Sequence, residues 1–106
     1  MRTWDVPTLD IEVHKPEVLI SEEGVARTVA INLPAGDQLQ DHEVREHAYV
    51  IVVSGALELE ADGNTVKAGP GFLAHFEPHE RHEVRAVEDS RFLLVLAPWP
   101  APDHHT

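Results

Sequence analysis

Turn-forming residues recur along this chain at intervals too short to leave room for a helix. Ser21-Glu22-Glu23-Gly24, Leu33-Pro34-Ala35-Gly36, Gly55, Asp62-Gly63, Ala68-Gly69-Pro70-Gly71, Glu77-Pro78 and Glu88-Asp89-Ser90 cut it into short pieces. What lies between them alternates. Arg27 to Leu33 puts Val29, Ile31 and Leu33 on one face and Thr28, Ala30 and Asn32 on the other. Leu57, Leu59 and Ala61 alternate with Glu58 and Glu60, and Asp62-Gly63 then gives a hairpin signal with Thr65-Val66-Lys67 as the returning strand. Phe72 to Phe76 forms a further strand. His82, Val84 and Ala86 share a face, and Arg91 to Ala97 reads as a buried last strand. Near the start, Thr3 to Val13 alternates weakly around Pro7, which suits an edge strand or an arm, and Val18-Leu19-Ile20 is a short apolar run. Nothing of helical length and period appears. The pattern predicts an all-β sandwich or barrel.

The stretch from Gly36 to Gly55 organises the rest. A histidine loop carrying His42 and His47 leads directly into Ala48-Tyr49-Val50-Ile51-Val52-Val53. That run is too short for a membrane span and too β-branched to prefer helix, so it predicts a strand buried on both faces in mid-sheet. A second histidine cluster, His75, His79 and His82, lies on a later segment. Two histidine-bearing segments that close on one another are the chemistry this sequence advertises.

Composition sets limits. A chain of 106 residues is one domain by length and buries roughly two-thirds of its unfolded surface, enough to fold without a disulfide or structural metal. Cysteine is absent, which excludes thiol catalysis, disulfides and iron–sulfur clusters and leaves metal binding to histidine and carboxylate. Nineteen acidic residues against eight Lys and Arg give a net charge of −11, which repels phosphate backbones and argues against nucleic acid and anionic membrane as partners. Met1-Arg2-Thr3-Trp4-Asp5 opens no apolar segment, so the expectation is a soluble, cytoplasmic protein.

Gly36, His42 and Gly55 fall at the spacing G-x5-H-x-H-x3,4-E-x6-G, and Gly71 to His82 is similar to G-D-x-(apolar)-x-(apolar)-P-P-G-x-x-H through Pro78 and His82. On these motifs the chain resembles the single-domain cupins, small double-stranded β-helix jelly rolls. The resemblance implies an all-β jelly-roll barrel over residues 1–106, with N-terminal strands or arm at 1–26, barrel core at 27–97 and tail at 98–106. In the family, two histidines, a glutamate and a third histidine hold one divalent metal inside the barrel. Of these slots only His42 and His82 keep a ligand here. Val44 occupies the second histidine's slot, Ala48 the glutamate's, and Phe72 and His79 replace the Asp-Gly pair of the second motif.

His47 sits one residue before the Ala48 slot, so strict alternation turns it away from the barrel unless a bulge or loop at the strand entry brings it back. In that case His42, His47 and His82 form a three-histidine site for Zn, Ni, Cu or Fe. Val44, Ala48, Val50, Val52, Ala74 and Phe76 would line the pocket beside it and contact a small-molecule substrate. The family's chemistry at such sites includes oxygen-dependent cleavage and metal-assisted isomerisation; no general base stands out among Glu46, Tyr49 and Glu80. The alternative is a metal-free barrel that binds a small molecule without turning it over, and the direction of His47 separates the two. His75 alternates with Ala74 and Phe76 and so faces outward; with Leu73 it marks a sheet face through which a homodimer would pair. His14, His79, His104 and His105 read as solvated, and Trp4 and Trp99 as covers for the barrel.

Overall fold

The protein is described by a computed structural model covering residues 1–102, with the side chains of residues 40–42 excluded. Nine strands run in chain order: β1 (Glu17–Glu22), β2 (Ala26–Leu33), β3 (Gln38–His42), β4 (His47–Ser54), β5 (Leu57–Ala61), β6 (Asn64–Ala68), β7 (Leu73–Phe76), β8 (His82–Ala86) and β9 (Ser90–Ala97). They form a five-stranded sheet in the order β1-β2-β9-β4-β7 and a four-stranded sheet in the order β3-β8-β5-β6, antiparallel throughout. From β2 onward the chain passes back and forth between the sheets, with the β5–β6 hairpin as one step. That winding produces a double-stranded β-helix. No α-helix occurs among the described residues.

Alternation fills the space between the sheets. Val29, Ile31 and Leu33 from β2, Ala48, Val50 and Val52 from β4, Phe76 from β7, and Phe92 and Leu96 from β9 meet Leu57, Leu59, Ala68, Val84 and Ala86 from the second sheet. Phe92 is the largest of the fully buried side chains. Truncating such a residue to alanine costs about 3–5 kcal/mol. The Asp62-Gly63 hairpin forms as the sequence predicts: Ala61 pairs with Asn64, and both loop residues have positive φ, 51° and 77°, as a type I′ turn requires.

Two local readings differ from the sequence. Residues 38–42, expected as a histidine loop, form β3, because pairing with β8 supplies the order that their polar side chains do not. The expectation that β4 is buried on both faces holds for one face only. Ala48, Val50 and Val52 are buried, while His47, Tyr49, Ile51 and Val53 on the other face are half-exposed. A run of β-branched residues does not by itself say whether a second layer covers it. Of the edge strand or arm expected for Thr3 to Val13, the structure has the arm; Val6–Thr8 is a 3-10 turn with Pro7 in its first turn.

Side chains from the five-stranded sheet hold that arm. Asn32 donates to the Ile11 carbonyl (2.7 Å), and Arg91 donates through Nε to Asn32 Oδ1 (2.8 Å) and through Nη1 to the Val6 (2.7 Å) and Pro7 (3.1 Å) carbonyls. Replacing Arg91 by lysine leaves a single point donor where a planar fork spans several acceptors. Limited proteolysis of Arg91→Lys is expected to cut residues 1–13 faster than in the parent while the barrel stays intact.

Gly55 closes β4 with φ +88°, and a Cβ built there would collide with the Asp89 carbonyl and with Ser90. Gly63, φ +77°, has nothing within 4 Å of that position. Gly63→Ala therefore carries only the backbone penalty of a left-handed non-glycine residue, about 1–2 kcal/mol. Gly55→Ala adds a backbone clash and is expected to cost about 3–5 kcal/mol, within the range reserved for strain plus overpacking. Urea denaturation of the two variants compares them directly; equal losses would mean the corner at Asp89–Ser90 yields.

Candidate functional site

The direction of His47 follows from the register of β4. Its pairing with β9 runs without interruption from His47↔Ala97 to Val52↔Phe92, and the irregularity comes only between Val52 and Ser54. The bulge that would turn His47 inward is thus at the other end of the strand. Ala48 faces the core, and His47 faces outward with Tyr49.

His82 lies inside. It is 3% exposed, shares the inner face of β8 with Val84 and Ala86, and stacks on Phe76 with ring centroids 4.2 Å apart and planes within 10°. Its Nδ1 is 3.0 Å from the Glu80 carbonyl, an acceptor, which places the hydrogen on Nδ1. His42 is the register partner of His82 across β3 and β8; its side chain lies outside the described residues, as do His104 and His105. The structure therefore brings His82 beside the strand that carries His42, and takes His47 to the opposite face of the five-stranded sheet.

The expected substrate wall divides in two. Ala48, Val50 and Val52 are at most 1% exposed and belong to the packed core, and Val44 packs against that core from its edge while its carbonyl accepts the His79 N–H (2.8 Å). Ala74 and Phe76 instead line a cleft of about 270 Å³ with Leu59, Ala61, Val66 and Phe72; Asn64, His75 and Glu80 supply its polar lining. This cleft opens where β6 and β7, the free edges of the two sheets, stand apart. Val66 and Phe72 at its rim are 45% and 37% exposed. A wider groove of about 680 Å³ is lined by residues of β2 and β3 together with His14 and Asp37, whose Nε2 and Oδ2 lie 3.6 Å apart. Its apolar members Ile31 and Leu33 are already buried in the core.

Of the three candidate bases, Glu46 is buried and accepts the Ala101 N–H (2.8 Å), which ties down the chain after β9. Glu80 accepts the Glu77 N–H (2.9 Å), and Tyr49 stacks on His75 on the outer face. Elsewhere, Arg85 gathers Glu83 (2.9 Å), Glu58 (3.4 Å) and Glu60 (3.7 Å) on the four-stranded sheet. The hydrogen bond with Glu83 is the main cause that raises its guanidinium above the ordinary value.

On the outer face of the five-stranded sheet, His47 Nδ1 lies 2.8 Å from His75 Nε2 and 3.7 Å from Glu77 Oε2. One ligand atom from each of the three residues falls within 4.8 Å of the other two, the spacing a shared metal ion requires. Sequence reading placed His75 outward but paired it with no ligand, and left Glu77 in a loop. The missing information is the β4–β7 register, Ala48↔Phe76 and Tyr49↔His75, which seats the three donors together.

The model of the cupin domain family matches residues 29–97, well over half of the chain. No curated protein matches. Among solved structures, an RmlC-like cupin from Desulfovibrio desulfuricans is 22% identical and superposes with a TM-score of 0.80 over 92% of this chain and 97% of its own. A conserved protein with a double-stranded β-helix domain from Klebsiella pneumoniae gives 21% identity and a TM-score of 0.79 over 96% and 94%. A conserved protein of unknown function from Streptococcus pyogenes gives 22% and 0.76 over 90% and 85%. At these identities the structures speak for the fold, and the family model, both motifs and the sheet order agree with them: the chain belongs to the cupin family.

Proposed function

We propose that this cupin binds a small, largely apolar organic molecule in the cleft between β5–β6 and β7. The observation that carries the reading is the free apolar surface there. Phe72 and Val66 stay exposed at the rim, Ala74 is half-buried, and Leu59 and Phe76 form a buried floor. A water-filled apolar concavity of this kind gains free energy when a ligand displaces the water, at about 25 cal/mol per Å² of apolar surface covered. Its volume, about 270 Å³, is at the small end for ligand sites and suits a compact molecule. Asn64 and Glu80 are the polar groups that would orient it.

The oxygenase and isomerase chemistry implied by the resemblance depends on a metal inside the barrel, and the residues present do not fit the family's four-donor set. Val44 and Ala48 offer no donor in two of the four slots, and Ala48 is sealed in the core. Among the described residues the buried polar side chains are Glu46, His82 and Ser90. Glu46 is engaged by the Ala101 N–H, and Ser90 by the backbone of Ala56 and Glu88. Binding without turnover is the reading these side chains favour.

A fragment screen followed by NMR tests it. Bound fragments are expected to shift methyl resonances of Leu59, Ala61, Val66 and Ala74. Ala74→Phe fills the cleft from a half-buried position and should weaken binding at least about tenfold, or 1.4 kcal/mol, with little change in stability. Shifts confined to the groove beside His14 and Asp37, or fragments indifferent to Ala74→Phe, would overturn the assignment.

A further inference from the structure

We infer that His47, His75 and Glu77 form a divalent transition-metal site on the outer face of the five-stranded sheet, outside the barrel interior and bordering the cleft at His75. The placement follows from strand geometry. Residues two apart on a strand share a face, and Glu77, the first residue after β7, keeps that spacing from His75, so both side chains reach His47. The β4–β7 register sets Tyr49 opposite His75 and Ala48 opposite Phe76, so the next pair outward is His47 and Glu77. Two imidazoles and a carboxylate thus converge because the chain pairs in this register.

The site is partly ordered before any ion arrives. His75 has two ring contacts: Tyr49 stacks on it at 4.9 Å, and His47 lies at 5.1 Å within 16° of parallel. Glu77 begins a tight turn in which Glu80 N donates to the Glu77 carbonyl (3.0 Å) and Glu80 Oε1 accepts the Glu77 N–H (2.9 Å). In the metal-free state one ring nitrogen of the His47–His75 pair donates to the other across 2.8 Å. On metal binding the donor ring moves that hydrogen to its other nitrogen, and both lone pairs turn to the ion. Bonds of 2.0–2.1 Å at tetrahedral angles put two nitrogens about 3.3 Å apart. The rings therefore open by about half an ångström, a small torsional change for side chains at the surface.

Two nitrogens and one oxygen select Zn, Ni or Cu(II) over Ca or Mg, which prefer all-oxygen shells. Three protein donors leave at least one position for water or another ligand. Solvent reaches the site, since the His47 and Glu77 side chains are 40% and 67% exposed. The net charge of −11 draws cations toward the surface.

The test uses tag-free, chelator-treated protein titrated with Zn(II) and Cu(II) by calorimetry, with EPR on the copper form. One equivalent is expected, with two nitrogen ligands in the spectrum, reduced to one in His47→Ala. His75→Ala and Glu77→Gln, both at exposed positions where folding is not at risk, should weaken affinity at least about tenfold, the usual scale for lost metal-site partners. His82→Asn should bind metal as the parent does, which separates this site from the barrel interior. Absence of stoichiometric binding overturns the proposal. So does metal that persists in His75→Ala, or that is lost only with His82→Asn or with His104→Ala and His105→Ala together.

Discussion

β4 pairs antiparallel with β9 in unbroken register from His47 to Val52 and with β7 from Ala48 to Ile51, and most of the molecule's chemistry follows from that fact. A strand's side chains change face at every residue, so a slip of one position would exchange its inner and outer sets. The inner set, Ala48, Val50 and Val52, packs into the core at 0–1% exposure. A slipped register would carry His47 and Tyr49 into that space and bring Val50 and Val52 toward water. Each buried valine is worth about 1.5–3 kcal/mol relative to exposure, so the register is held firmly. The same constraint that keeps the core apolar therefore keeps His47 outside.

The corner after β4 shows how the register is terminated. Gly55 leaves the strand in a left-handed conformation directly against Asp89 and Ser90, where no side chain fits. Ser90 is buried, and its hydroxyl accepts the Ala56 N–H (3.0 Å) and faces the Ala56 and Glu88 carbonyls at 3.1 and 2.8 Å. The last glycine of the first motif is thus a packing requirement: the turn into β5 and the start of β9 touch backbone to backbone. This glycine would be needed whether or not the barrel holds a ligand, which is why the motif persists in a chain that has lost two of the family's donors.

Much of this was legible in the sequence. Alternation located the inner faces of β2, β5 and β8, Asp62-Gly63 announced its hairpin, and the two motifs gave the winding of the barrel. Three things were hidden. β3 carries Gln38, Gln40, Asp41 and His42, residues whose propensity points to a loop; its order comes from β8, distant in sequence. The half-exposed outer face of β4 could not be separated from a buried one, because Tyr49, Ile51 and Val53 suit either. The meeting of His47, His75 and Glu77 was invisible because it depends on a register between strands separated by a hairpin and two turns. His75 alone reads as an outward histidine and Glu77 as a solvated charge. Only the pairing of Tyr49 with His75 makes them neighbours.

β7 links the two candidate sites. It is four residues long and, as the edge of its sheet, pairs with β4 alone. Ala74, His75 and Phe76 all border the cleft, and His75 also belongs to the cluster with His47 and Glu77, so one short strand serves both surfaces. Edge strands are the least constrained parts of a sheet, because half of their backbone groups have no partner strand. Here the hydrogen bonds from Gly71 N to the Val52 carbonyl (2.8 Å) and from Val52 N to the Phe72 carbonyl (3.0 Å) hold the entry of β7, and the His79–Val44 bond holds its exit. The strand is thus fixed at both ends, while its middle depends on packing from one face and on the Tyr49–His75 stack from the other. Whatever occupies either surface acts on the same few backbone hydrogen bonds. That gives β7 more influence on what this barrel can bind than the donor-less slots at Ala48, sealed in the core, and Val44, packed against its edge.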